Sequence, residues 1–288
     1  MNSFLKLAHP LHLLIAALTY ILGASIPAYF GKTFQTDTFL IGLAGILFAQ
    51  LSMSLLAEVF RPHNEPLIEN ESPQEKEVLR NNALWVSIVI LTATAFIAYL
   101  LFVKQTLVLS SVLFLLLSYV LVILYAIPPV RLLSRGFGEF TLAVHLAYVI
   151  PTIGFLLQAK YNHRLLTIIV IPLTALALAY FLVSNFTSFS DDQKYERATL
   201  LRRLTWERAV PFHHSLIAFA YVIFAIAPLF GFNILWPALF TLPFAIFEII
   251  LIQNISLGVK PNWPLLTSTS LSVFGLTAYF ITLTFWLR

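Results

Sequence analysis

The chain has 288 residues, 59% of them hydrophobic and only 10% charged, with a mean hydropathy of +0.88. Soluble domains carry about a quarter charged residues, so this composition excludes a soluble globular protein and reads as a polytopic membrane protein. The net charge of +4 is too small to suggest nucleic acid as a partner, and the absence of cysteine excludes disulfides and thiolate metal sites.

Apolar segments of spanning length recur at 11–30, 38–60, 82–103, 107–127, 138–159, 165–187, 211–230, 234–253 and 265–287. They predict an all-α, polytopic transmembrane bundle of nine helices, forming one integral-membrane unit over residues 1–288. The first segment is too long for a signal-peptide core, lacks a clear cleavage site, and reads as a retained helix. Most breaks carry turn or helix-stop chemistry, as at Gly31-Lys32, Pro62, Pro128-Pro129, Gly231, Pro261 and Pro264. The boundary near Lys104-Gln105 has the least marked signal. Pro27, Pro151, Pro172 and Pro243 fall inside segments, where membrane helices tolerate proline and kink.

Lys and Arg set the orientation. With the N-terminus cytosolic and the C-terminus outside, twelve basic residues lie inside and five (Lys32, Lys104, Lys160, Arg164 and Arg288) outside. The acids are more one-sided: only Asp37 lies outside and only Glu248 lies deep in a segment. The polar chemistry therefore gathers over three cytosolic loops, 61–81, 128–137 and 188–210. The first and third are of similar length and mixed charge, a faint sign of an internal duplication.

The second segment ends with Gln50, Ser54 and Glu58, and the sixth with Ser184, Ser188 and Asp192, with Asn185 one step round. Residues four apart share a helix face, so each helix carries a polar stripe at its cytosolic end. Interhelical hydrogen bonding accounts for the serines alone. With Glu58 and Asp191-Asp192 at the ends, a hydrated cavity is the better account. Between the fourth and fifth segments runs YAIPPVRLLSRGFGE, Tyr125 to Glu139. Its Arg131 and Arg135 suit an anionic ligand, diphosphate above all, although the positive-inside rule alone also explains them. His145 reads as a packed, hydrogen-bonded residue. Glu248 reads either as a functional acid or as a hydrated rim residue. His213-His214, without cysteines or a matched acidic helix, is not read as a metal site.

Three loops carry a resemblance. YAIPPVRLLSRGFGE resembles the loop YS-x-PP-x-R-x-K-RRG-x-GE of the UbiA superfamily of intramembrane prenyltransferases. DDQKYERATLLRRLTWERA resembles that family's D-xxx-GK-x-TLPVRLG-x-ERA, and PLIENESPQEKEVL resembles RPLPSGRISPREAL. LAHPLHLLIAALTYILGA resembles the family's first helix. The resemblance covers about residues 7 to 209; beyond that only the helix count agrees. It implies a prenyltransferase fold with a cavity open to the cytosol. The implied reaction moves a prenyl group from its diphosphate to a hydrophobic acceptor of the kind of a quinone precursor such as dihydroxynaphthoate. It implies Mg2+ as cofactor and a prenyl diphosphate and the lipid bilayer as partners. Glu58, Asp191 and Asp192 are the implied catalytic acids, with Glu65 joining them as metal ligands. Arg61, Arg131, Lys194 and Arg197 would hold the diphosphate, and Ser54, Tyr125, His145, Asn185 and Ser188 would line the pocket.

The chain also departs from the family pattern. The motif NDxxDxxxD falls, without a gap, on Ala57, Glu58, Arg61 and Glu65; aligned instead on the following Pro66-Leu67, Glu65 falls on the family's Arg. The second DxxxD falls on Ser188 and Asp192, with Asp191 as a substitute, and Leu133 replaces a Lys. Arg61 thus stands where a metal-binding acid would be, and an Arg repels a divalent cation but contacts phosphate directly. An alternative reading is a catalytically impaired relative that binds or presents a prenyl lipid. A small-molecule transporter is a third, disfavoured by short and nearly uncharged outer loops.

Overall fold

A computed structural model describes residues 3–68 and 71–287. Glu69 and Asn70 of the loop motif, and Arg288 of the outer basic set, lie outside the described residues. Among the described residues, nine helices are long and apolar enough to cross a membrane. They are α1 (Pro10–Tyr29), α2 (Thr36–Val59), α3 (Pro73–Val103), α4 (Leu109–Ala126), α5 (Gly138–Ala159), α6 (Arg164–Lys194), α7 (Trp206–Phe230), α8 (Asn233–Ser256) and α9 (Trp263–Trp286). The expected all-α bundle is what forms, and the turn at Lys104-Gln105 does separate α3 from α4.

Three helices reach further into the polar loops than the apolar pattern predicts. α3 starts at Pro73 rather than at 82, because Ser72 and Glu75 form a reciprocal cap: the Glu75 N–H donates to Ser72 Oγ at 3.2 Å and the Ser72 N–H to Glu75 Oε2 at 2.9 Å. Proline in the first turn loses no hydrogen bond there. α6 continues to Lys194, so Ser188 and Asp192 sit on a helix and not in a loop. Its last turn carries Lys194, which suits the negative end of the helix dipole. α7 starts at Trp206 rather than at 211, with Glu207 in its first turn.

α5 and α6 form the centre. In α5, 83% of the apolar window is buried, against 11% in the peripheral α3. α5 touches α1, α2, α4 and α6, while α6 packs on α7 and α9, and α8 on α9. The α1–α5 contact depends on two glycines. A Cβ on Gly23 would lie 1.8 Å from the Pro151 carbonyl oxygen, and one on Gly154 would lie 2.4 Å from the Tyr20 carbonyl oxygen. The backbones therefore touch directly. Ahead of Pro151, α5 widens into a π-helical turn over His145–Val149; proline cannot donate to the carbonyl four residues back, and the ladder adjusts locally.

At the end of the bundle remote from the polar loops, the Gln35 N–H donates to Gln158 Oε1 at 2.9 Å and Asp37 lies 3.9 Å from Lys104. The opposite end gathers the termini of α2 and α6 and the α4–α5 connection.

Candidate functional site

A cavity of about 290 Å3 opens where these three segments meet. α2 contributes Gln50, Ser54 and Glu58, one face at intervals of four. α6 contributes Asn185, Ser188 and Asp192 from the matching face. Apart from Ser184, which does not line it, the two stripes legible in the sequence thus share one hollow. Its remaining polar wall comes from Arg61 and Glu65 after α2, Arg131 and Glu139 around the α4–α5 turn, and Arg197 after α6. A second hollow of about 570 Å3 adjoins it. The two share His9, His12, Tyr125, Leu133, Glu139, Leu142 and Asn185, and the second continues along Lys6, Pro10, Leu11, Tyr180, Phe181 and Ser184. The polar chamber therefore leads into a hollow of mixed lining, whose apolar wall comes from Leu11, Leu133, Leu142, Tyr125, Tyr180 and Phe181.

The acids and arginines of the polar chamber alternate. Arg61 Nη2 donates to Glu58 Oε1 at 2.8 Å and touches Oε2 off-axis at 2.6 Å. Arg61 Nε lies 3.8 Å from Glu65 Oε2, an ionic contact rather than a hydrogen bond. The same Glu65 oxygen accepts from Arg197 Nε at 3.0 Å, and Arg197 Nη1 donates to Asp192 Oδ1 at 3.2 Å. Ser188 Oγ donates to Asp192 Oδ2 at 2.9 Å. Glu58, Arg61, Glu65, Arg197 and Asp192 form one chain of alternating charge across the cavity, with all three carboxylates buried. Burial alone would lower the Arg197 guanidinium's affinity for its proton, but Glu65 and Asp192 together outweigh it and hold the pKa above its ordinary value.

Arg131 differs. Its residue sits at φ 32, a left-handed conformation at the turn out of α4, and its side chain lines the cavity. It has no ion pair or side-chain hydrogen bond among the described residues, and its Nε is buried without an acceptor. Burial pushes the Arg131 pKa down from its ordinary value, although an arginine stays charged. Unpaired, half-buried and facing a cavity, it is a ready anion ligand.

Other expected site residues fall elsewhere. Asp191 and Lys194 are exposed and absent from the cavity wall, because on a helix they point away from the face carrying Ser188 and Asp192. Lys194 Nζ instead lies 5.0 Å from the Tyr195 ring centre. His145 lies behind the wall: its ring sits between Gln50 Oε1 at 3.1 Å and Ser118 Oγ at 2.9 Å. It contacts Gln50 and is absent from the lining of both hollows. Ser54 and Tyr125 do line the cavity, and the Ser54 hydroxyl has no partner among the described residues. Asn185 Nδ2 donates to Glu139 Oε1 at 2.7 Å.

Sequence reasoning missed His9, His12 and Glu139. His9 Nε2 is 3.0 Å from Glu58 Oε1, and its ring stacks on His12 with centroids 5.2 Å apart. His12 lies in the first turn of α1 and His9 is the residue ahead of Pro10, at φ 46, so helix periodicity marks only His12, and the first helix matches the family only as an apolar run. Glu139 was read only as the end of a loop motif. Outside the site, Glu248 is fully buried and pairs with His213 Nε2 at 3.0 Å.

The donor set does not fit the Mg2+ implied by the resemblance. Mg2+ takes octahedral oxygen ligands and needs carboxylates free to turn to it. Here Glu58, Glu65 and Asp192 are each in contact with Arg61 or Arg197. No group of three or more His, Asp or Glu poised to hold a metal occurs among the described residues.

No protein-family model matches the chain, and no curated protein matches it in sequence. Solved structures do. That of a digeranylgeranylglyceryl phosphate synthase is 15% identical, with 99% of this chain and 96% of that one covered and a TM-score of 0.67. A UbiA homolog from Archaeoglobus fulgidus bound to GPP and Mg2+ is 17% identical, with 99% of each chain covered and a TM-score of 0.62. The apo UbiA homolog from Aeropyrum pernix K1 is 10% identical, with 96% and 97% covered and a TM-score of 0.54. Likeness over nearly the whole of each chain, at this low identity, establishes architecture: the protein has the fold of the UbiA homologs.

Proposed function

We propose that the protein is a multi-pass membrane prenyltransferase. It takes a prenyl diphosphate with its head in the polar chamber and its chain along the apolar wall of the adjoining hollow, and transfers the prenyl group to a hydrophobic, quinone-precursor-like acceptor. The observation that carries this reading is the pairing of the two hollows, with the unpaired Arg131 in the polar one. The binding of GPP by the Archaeoglobus homolog of the same fold supports it. Ionisation of an allylic diphosphate leaves negative charge on the leaving oxygens, which guanidinium groups neutralise where they stand. The faces of Tyr125, Tyr180 and Phe181 suit the allylic cation. Mg2+ is left out of this reading because arginines contact the carboxylates that would hold it. With the basic residues on the cytosolic side, the N-terminus is cytosolic and the C-terminus outside.

A second reading is favoured by the closed chain of ion pairs from Glu58 to Asp192: a non-catalytic protein that binds or presents a prenyl lipid. A turnover assay separates the two. Purified protein is given geranyl, farnesyl and geranylgeranyl diphosphates with dihydroxynaphthoate, and diphosphate release is measured. Release above the protein-free rate supports transfer; binding without release for every chain length supports the second reading.

A further inference from the structure

We propose that Arg61 and Arg197 replace the divalent cations of the diphosphate site, so that the protein grips its phosphate-headed ligand without metal. This rests on the prenyl diphosphate reading above.

Both guanidiniums are held by acids from the α2 end and the α6 end of the cavity wall. Glu58 and Glu65 contact Arg61, while Glu65 and Asp192 hold Arg197. The acids thus do for two guanidiniums what carboxylates do for bound cations: they fix a positive charge in place. Neither fork is used up. Arg197 spends Nε and Nη1 on its acids, which leaves Nη2 with no acceptor among the described residues. Arg61 spends Nη1 on the Pro66 carbonyl and Nη2 on Glu58, and its Nε has only the 3.8 Å contact. The side chains are 24% and 30% exposed and both line the cavity, so the spare N–H groups are open to a ligand. A planar fork with spare donors matches phosphate oxygens geometrically. Arg131 adds a third guanidinium to the same wall.

The wall carries five acids, Glu58, Glu65, Glu139, Asp192 and Glu196, against Arg61, Arg131 and Arg197. Glu58, Glu65 and Asp192 are the three in contact with Arg61 or Arg197. A divalent cation placed among the carboxylates would sit against two fixed positive charges.

The test is calorimetric binding of geranyl, farnesyl and geranylgeranyl diphosphates to the purified full-length protein in detergent, once in excess EDTA and once in excess Mg2+. The expected result is dissociation constants that agree within about threefold. In EDTA, Arg61→Ala and Arg197→Ala should each weaken binding about tenfold or more, the loss expected for a hydrogen bond to a charged group. Arg61→Lys should fall between, because it keeps the charge and loses the fork. Melting curves check that each variant folds; if an alanine variant does not, Arg61→Gln and Arg197→Gln stand in for it. Binding that appears with Mg2+ and vanishes in EDTA overturns this proposal and leaves the prenyl diphosphate reading standing. Unchanged binding in the Arg61 and Arg197 variants also overturns it. No binding of any of the three diphosphates under either condition overturns both.

Discussion

Glu65 accepts a hydrogen bond from Arg197, 132 positions further along the chain, at 3.0 Å. It joins the loop after α2 to the segment after α6 across the cavity wall. A double-mutant cycle with Glu65→Gln and Arg197→Ala should show this directly. Thermal melts in detergent should give a coupling of about 0.5–3 kcal/mol, as expected for side chains in one ion-pair network. Additive effects would mean that the pair does not join the segments.

Asp192→Asn should abolish prenyl transfer while leaving the fold intact. The amide keeps the volume and an oxygen for Ser188 or Arg197, but loses the charge that anchors Arg197. The measurement is diphosphate release beside a melting curve. Turnover at the wild-type level would remove Asp192 from the site.

Arg61→Asp should turn the chamber into a metal site. It removes a cation and adds a fourth acid beside Glu58, Glu65 and Asp192. Mg2+ titration followed by melting temperature should show stabilisation in the variant that the parent lacks. No change in metal affinity would show that Arg61 does not stand at the position of the family's central acid.

The nine spans and the two polar stripes were legible because both rest on short-range periodicity. Glu58, Ser54, Asn185, Ser188 and Asp192 could be assigned to helix faces four residues at a time. The helix ends were harder. An apolar window stops where charge begins, whereas α6 keeps its backbone bonds through Asp191-Asp192 to Lys194. That extension is what turns Asp191 away: adjacent residues on a helix point about 100° apart, so only one of the pair can face the cavity. The alternation of acids and arginines was not legible, because Glu65 and Arg197 are distant in sequence and their meeting depends on how α2 and α6 pack. His9 was overlooked for the same reason, since nothing local marks it as a partner of Glu58.

His145→Leu should destabilise the bundle by about 1–3 kcal/mol, because it leaves the buried Gln50 amide and Ser118 hydroxyl without their partner. If His145 only positions Gln50, the variant should still bind farnesyl diphosphate. Complete loss of binding in a folded variant would place His145 at the ligand.

Gly23→Ala and Gly154→Ala should each cost about 1–3 kcal/mol, since a Cβ would meet backbone of the facing helix. Gly275→Ala is the control: its Cβ would meet only Leu271 Cδ1, at 4.0 Å. Equal melting temperatures for all three would contradict the close α1–α5 contact.

The overhang of α3 changes how its basic residues should be counted. Lys76 Nζ donates to the His63 carbonyl at 2.9 Å and to the Glu65 carbonyl at 2.6 Å, and Arg80 Nη2 donates to the Arg61 carbonyl at 2.9 Å. Two of the basic residues counted toward orientation, Lys76 and Arg80, are thus staples on the strap that bears Arg61 and Glu65. The peripheral helix α3 is thereby tied to the chamber, and substitutions at Lys76 or Arg80 belong with those of the chamber.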